Sequence, residues 1–317
     1  MSTQYLLPIK QLSPSELTRD IILENVPVIV KGIAKSWPAY QKWTADYFMS
    51  DYGDVRVPLS NYGKNPFQPT NQKPTISIKD YLESALKISR GISDSNEQLY
   101  SSSWYFCRGY CELLKDVNIP DCFKENWAEK VQKVFAFDYR AILFGHPKVG
   151  SPLHTDSFFV STWIAMIRGQ KRIRLVDPTY TEHVHNGFDV FNDTNVATLT
   201  QKDVPIYDGI VEEGDLVWFP PGWWHYVKND TFTISITTNH VAAENFLAFE
   251  QQFRTVILKP LLKLDAVKSD FMKNPAAPIH KVLSDSHFIQ NEKQYLNYIQ
   301  SKFIHTEQIL ADLASAG

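Results

Sequence analysis

The sequence predicts a mostly β protein, an antiparallel sandwich or barrel flanked by helices. Three observations lead there. Between residues 141 and 239 a series of β-rich runs is bounded by Gly, Pro, Asn or Asp, with no helical pattern read between them. Ahead of that region short helical and strand signals alternate. After residue 242 the apolar period returns to that of a helix, with Phe246, Phe249, Phe253, Val256 and Ile257 on one stripe and Pro260 at its stop.

The elements follow in order. Ser13-Pro14-Ser15-Glu16 has a capping serine, a first-turn proline and a glutamate three residues on, which predicts a helix over 13–24. PVIVK at 27–31 is a β-branched strand ended by Gly32. Short helices are expected at 44–49 and, with Tyr81, Leu82, Ala85 and Leu86 on one face, at 78–89. Residues 50–77 and 90–98 read as surface loops, and 112–135 as helical again. The β region comprises AILFG (141–145), FFVSTWIAMI (158–167), KRIRLVD (171–177), DLVWFP (215–220), HYVKN (225–229) and FTISITTN (232–239). A last helix is expected at about 292–313.

Composition narrows the function classes. The 317 residues carry 32 Lys and Arg against 35 Asp and Glu, a net charge of −3, so there is no basic footprint for nucleic acid or for an anionic membrane. Thirteen glycines exclude collagen-like and Gly-rich disordered classes. Cys107, Cys111 and Cys122 are too few for a disulfide scaffold and suggest a reducing compartment. With neither a leader pattern at the start nor a long apolar run, a soluble cytoplasmic protein is expected.

The residues that point to chemistry lie in the β region. His154 and Asp156, at i and i+2, share one face of a strand or a strand-end bulge. His225 follows 71 residues after His154, in GDLVWFPPGWWHYV. Two histidines and one carboxylate form the facial triad of non-haem Fe(II) oxygenases, which leaves one side of the metal open. Either motif alone is more often a packed histidine or a chance pair. Lys171, just after the Gly169 turn, is expected to start a strand running back beside the first. Pointing inward it needs an anion, which the carboxylate of 2-oxoglutarate would supply; the alternative is a solvated strand-edge lysine beside Arg172 and Arg174. Thr237 sits at an inward-compatible position of its strand.

SPLHTD, WIAMIRGQKR and GDLVWFPPGWWHYVKNDTFTISITTNH, together with PVIVKGIAKSWPAYQKW upstream, resemble the JmjC-type, cupin-fold Fe(II)/2-oxoglutarate oxygenases. The likeness is to the lysyl-hydroxylase-like members and covers roughly residues 25–45 and 100–245. It implies a double-stranded β-helix (jelly-roll) core within a catalytic domain over 1–245, and a helical tail over 246–317. It implies His154, Asp156 and His225 as ligands of Fe(II), and Lys171 as the partner of the far carboxylate of 2-oxoglutarate. Thr237 and Tyr105 would hydrogen-bond that carboxylate, and Ser151 stands where relatives place Thr or Ser. Asn239 is expected close to the second histidine, supporting the site. Some members carry an asparagine after Trp163 that orients the cosubstrate, where this chain has Ile164. Trp163, Trp218, Trp223 and Trp224 either wall the site or fill the sandwich core.

The resemblance implies hydroxylation of a protein side chain, coupled to decarboxylation of 2-oxoglutarate to succinate with O2. Alternatives are a modified tRNA or N-methyl-lysine as substrate, or a non-catalytic cupin-like binding module. A homodimer through the helical stretches at about 244–259 and 292–313 is expected. His183 and His185 read as part of an insert loop near the site mouth. The Cys107-x3-Cys111 spacing, with Cys122 beyond, lacks the pattern of structural zinc.

Overall fold

The computed structural model describes residues 6–61, 73–93, 99–134, 139–147 and 149–254. It divides into two compact units, one of residues 1–125 and 139–240, the other of 126–138 and 241–317. The expected helix at 292–313 and the end of the stretch at 244–259 lie outside the described residues.

The first unit opens with short strands, β1 (Leu6–Pro8), β2 (Lys10–Leu12) and β3 (Val28–Val30). The predicted 13–24 helix is broken. A 3-10 turn at Pro14–Glu16 uses the capping box at Ser13, and α1 (Arg19–Leu23) starts afresh where Thr18 accepts a hydrogen bond from the Ile21 N–H. The second cap defeats continuity. Next come α2 (Pro38–Lys42), α3 (Ala45–Asp51, capped by Thr44), β4 (Arg56–Pro58), β5 (Ser60–Asn61), β6 (Thr75–Ser77) and α4 (Ile78–Ser89). Ser77 caps α4 through the Asp80 N–H, so this helix begins where its apolar stripe begins. The expected 50–77 loop thus contains three strands. Beyond β7 (Leu99–Trp104), the run read as helical from 112 splits into a 3-10 turn at Cys111–Asp116 and α5 (Asp121–Lys124). Val117 is extended and Pro120 precedes α5, which is incompatible with one helix.

The remaining strands are β8 (Arg140–Gly145), β9 (Gly150–His154), β10 (Ser161–Arg168), β11 (Lys171–Val176), β12 (Ile206–Val211), β13 (Leu216–Phe219), β14 (Trp224–Asn229) and β15 (Thr233–His240). Before β10, Ser157–Phe159 is a turn with Phe158 and Phe159 at positive φ, so the strand begins later than the FFVSTW pattern suggests. Another correction lies between β11 and β12, where α7 (Asp193–Gln201) interrupts the β series. Its sequence DTNVATLTQ carries little apolar periodicity, and the Asn192 cap with the buried Leu199 defines it.

These strands form a jelly roll of two sheets. One has the order β1-β12-β11-β14-β9, the other β2-β3-β13-β10-β15-β8-β7-β5, and β4 pairs with β6 apart from both. Lys171 does not start a strand beside β10. Gly169, at φ 80°, turns the corner between sheets, and β11 pairs with β12 and β14 instead. Alternation along β10 fixes the layers. Ile164 and Met166 meet Ile173, Leu175, Val211 and Val227 between the sheets, while Trp163, Ala165 and Ile167 join a second core with Trp37, Trp43, Phe48 and Leu82. The larger sheet is therefore buried on both faces. Each such aliphatic side chain contributes roughly 1.5–3 kcal/mol.

The second unit includes α6 (Ala128–Val134) and a helix over 246–254. Asn126 ties its two segments by accepting hydrogen bonds from the Ala128 and Val241 N–H groups, and Trp127 packs on Phe246. Among the described residues no helix is long and apolar enough to cross a membrane.

Candidate metal and cosubstrate site

His154 ends β9 and is paired across the ladder with His225 of β14. Asp156, two residues on, begins the turn into β10. Each histidine has its ring fixed from behind. His154 Nδ1–H donates to the Pro152 carbonyl at 2.7 Å, and His225 Nδ1–H to the Trp223 carbonyl at 3.0 Å. With Nδ1 so used, the neutral ring carries its lone pair on Nε2. Both Nε2 atoms lie 3.9 Å from Asp156 Oδ1, and the three side chains offer ligand atoms all within 4.8 Å of one another. His225 is buried, and burial, reinforced by the neighbouring His154, pushes its pKa down to about 4, which keeps the ring neutral. Two imidazoles and a carboxylate are a donor set that fits a divalent transition ion such as Fe(II).

Behind the carboxylate stands a support of which the sequence singled out Asn239 but not Thr162. Thr162 Oγ1–H donates to Asp156 Oδ2, and Asn239 Nδ2–H donates to Thr162 Oγ1 at 2.7 Å and to Asp156 Oδ2 at 3.4 Å. Asn239 was expected close to the second histidine. It reaches the carboxylate that faces His225, because Asn239 is paired with Thr162 across β15 and β10.

The triad opens onto a cavity of about 210 Å³ between the sheets. Ser151, Tyr105, Thr237 and Asn239, all singled out in the sequence, line it, as does Ile164. Thr237 Oγ1–H donates to the Trp163 carbonyl at 3.3 Å. Lys171 is fully buried rather than solvated, and its Nζ donates to Tyr100 Oη at 2.9 Å and to Asn229 Oδ1 at 2.6 Å. Burial pushes its pKa down to about 7. Tyr100 itself lines the cavity, so the lysine stands behind its wall. Tyr100 lay on an unrecognised strand, and Asn229 showed no signal beyond its place in HYVKN.

The tryptophans are core, not wall. Trp163 packs on Trp37 and Phe123, Trp218 shares that core, Trp223 belongs to the inter-sheet core, and Trp224 joins a third cluster with Leu199 and Ile206. The lining of the cavity includes Phe219, Leu143 and Ile164 instead. His183 and His185 lie in the insert between β11 and β12, His183 closing a 3-10 turn and paired with Glu182 at 3.6 Å. Among the described residues, only His154, Asp156 and His225 group as three metal-ligating side chains.

Known proteins are similar to this chain in sequence. The lysine-specific demethylase JMJ21 of Arabidopsis thaliana is 32% identical over 69% of this chain and 24% of its own length. The 2-oxoglutarate and iron-dependent oxygenase JMJD4 of Homo sapiens is 28% identical over 74% of this chain and 60% of its own. The bifunctional arginine demethylase and lysyl-hydroxylase psr-1 of Caenorhabditis elegans is 23% identical over 74% of this chain and 60% of its own. The aligned part of the chain thus spans from about a quarter to three fifths of the length of these relatives. Residues 14–245, which hold every strand of the two sheets except β1 and β2 and all three triad side chains, match the cupin-like domain, and the chain belongs to that family.

Proposed function

We propose that this chain is an Fe(II)- and 2-oxoglutarate-dependent dioxygenase that hydroxylates a protein side chain. The observation that carries this is the pair of imidazoles with Nδ1 tied to backbone carbonyls and Nε2 facing Asp156, at the mouth of a cavity backed by a buried lysine. The relatives' names, a 2-oxoglutarate and iron-dependent oxygenase and a lysyl-hydroxylase, support it. His154, Asp156 and His225 would hold the iron. When bound, iron with 2-oxoglutarate and O2 supplies the oxidising chemistry, and the cosubstrate leaves as succinate and CO2.

The chain's own contribution is orientation and exclusion of water. The Pro152 and Trp223 carbonyls hold the imidazoles in one tautomer, while Thr162 and Asn239 hold the carboxylate. Lys171 supplies the positive charge for the far carboxylate, assisted by the neighbouring hydroxyl of Tyr100. Ser151, Tyr105 and Thr237 provide hydroxyls along the cavity, and Phe219, Leu143 and Ile164 keep it apolar elsewhere.

Succinate formation with Fe(II) and 2-oxoglutarate, wild type against His154→Ala, tests this reading. Turnover is expected only in the wild type, and equal turnover by both proteins overturns it. Mass spectrometry of peptide substrates then separates gain of an oxygen atom from loss of a methyl group. The near-neutral charge favours a protein over a nucleic acid substrate. We further propose a cytoplasmic location, in keeping with cysteines that are free in the structure. A catalytic domain over 1–245 with a helical tail from 246 that joins two chains in a homodimer completes the proposal, and a monomeric mass by light scattering overturns the dimer.

A further inference from the structure

Lys171 and Asn229 are paired directly across β11 and β14, and both side chains are buried. An ammonium has three N–H donors and no acceptor. Here two of them go to neutral oxygens, Tyr100 Oη and Asn229 Oδ1, which leaves one. Burial works against the charge of Lys171, and among the described residues no carboxylate offsets it. The cation is held but not neutralised.

Asn229 has a prepared seat. Its N–H donates to the Val149 carbonyl at 2.8 Å, and its amide lies against Gly145 of β8. A Cβ at Gly145 would stand 2.0 Å from Asn229 Nδ2 and 3.0 Å from its Cγ, far inside contact distance. A side chain there would have to displace the Asn229 amide. The amide nitrogen also faces the His146 carbonyl at 3.5 Å, so Oδ1 is the end presented to the lysine.

We propose that Asn229, seated in the space left by Gly145, is a positioning residue that aims the Lys171 ammonium at an incoming carboxylate while leaving its charge available. It rests on the reading of Lys171 as partner of the dicarboxylic cosubstrate, and it extends that reading to two residues outside the cavity lining. The chemistry explains why an amide stands there. Aspartate has the same shape and would accept the same hydrogen bond, but at low dielectric it would bind the ammonium as an internal ion pair and compete with the ligand. Alanine would leave the ammonium one acceptor short and free to turn.

The test is calorimetric titration of the Mn(II)-loaded full chain, without O2, with 2-oxoglutarate and with 2-oxobutyrate, which lacks the second carboxylate. Wild type is expected to prefer the dicarboxylate, and Lys171→Ala to lose that preference. Asn229→Asp should weaken 2-oxoglutarate binding by about tenfold or more, and leave 2-oxobutyrate within about twofold. The Lys171 ammonium, followed by nitrogen NMR, should titrate at higher pH in Asn229→Asp than in wild type. Gly145→Ala should reduce the same preference, and its effect should not add to that of Asn229→Ala. Wild-type preference in Asn229→Asp overturns the positioning role. If that variant does not fold by circular dichroism, Gly145→Ala decides, and an unchanged preference there counts against the proposal. Preference retained in Lys171→Ala, or missing from wild type, overturns the underlying reading of Lys171 instead.

Discussion

His154 and His225 face each other across one rung of the β9–β14 ladder, their ring centroids 4.2 Å apart, although 71 residues separate them in the chain. One register therefore sets the geometry of two of the three proposed ligands. A slip of one residue would turn His225 to the opposite face of its strand. Asp156 needs a different device, since it lies past the strand end. Thr162 supplies it by reaching back from β10.

Thr162→Val keeps the shape and removes that hydrogen bond. Mn(II) affinity is expected to fall by about 10–100-fold, with the fold intact by circular dichroism. Unchanged affinity would show that Asp156 orients itself.

Lys171→Met tests the buried cation through pH. The folded lysine titrates near about 7, whereas an unperturbed one does so at 10.5. Between those values the unfolded chain holds a proton that the folded chain lacks, so stability rises with pH across the window. Denaturant unfolding of wild type, relative to Lys171→Met, should improve from pH 7 towards pH 10, by at most roughly 1.4 kcal/mol per unit. Parallel pH profiles would contradict a depressed lysine.

Trp163→Ala separates core from site. Trp163 is 1% exposed and packs on Trp37 and Phe123, so its truncation is expected to cost about 3–5 kcal/mol in chemical denaturation. Metal affinity of the folded fraction should stay within about twofold, and a large loss of it would put Trp163 back among the site residues.

Asp208 on β12 receives Arg172 at 3.0 Å and Arg174 at 2.7 Å on the outer face of the smaller sheet. Burial works to raise its pKa, but the two guanidinium groups outweigh burial and lower it. Its contribution to stability is therefore present above the ordinary carboxylate range and lost as pH falls through the depressed value. Asp208→Asn should flatten the acid side of the stability curve while reducing stability near neutrality, as thermal melts from pH 3 to pH 7 would record.

What could be read from the sequence depended on whether the signal was local. The i, i+2 pair at His154 and Asp156 and the strand carrying His225 follow from residues in one short segment. So does α4, whose Ser77 cap and apolar stripe agree. Tyr100 and Asn229 acquire meaning only through pairing with segments far away, and nothing in their neighbourhoods reports the partner, whereas Thr162 sits six residues from Asp156 but reaches it only because the intervening turn folds back. The sheet-to-sheet corner at Gly169 was misread for a related reason. A glycine turn looks the same whether the chain doubles back in one sheet or crosses to another, and the choice is made by where Ile173 and Leu175 find their apolar neighbours. The split of 13–24 shows the opposite case, in which two valid local caps compete.

His154 and His225 belong to the smaller sheet, whereas Asp156 is tethered to Thr162 and Asn239 of the larger one. An ion shared by these three side chains would act as a rivet between two layers that otherwise meet there through the cavity walls. Metal occupancy then becomes a mechanical property of the barrel as well as a chemical one. Amide protons of β9 and β14 should therefore gain more protection on metal binding than those of β10, which is held from both faces.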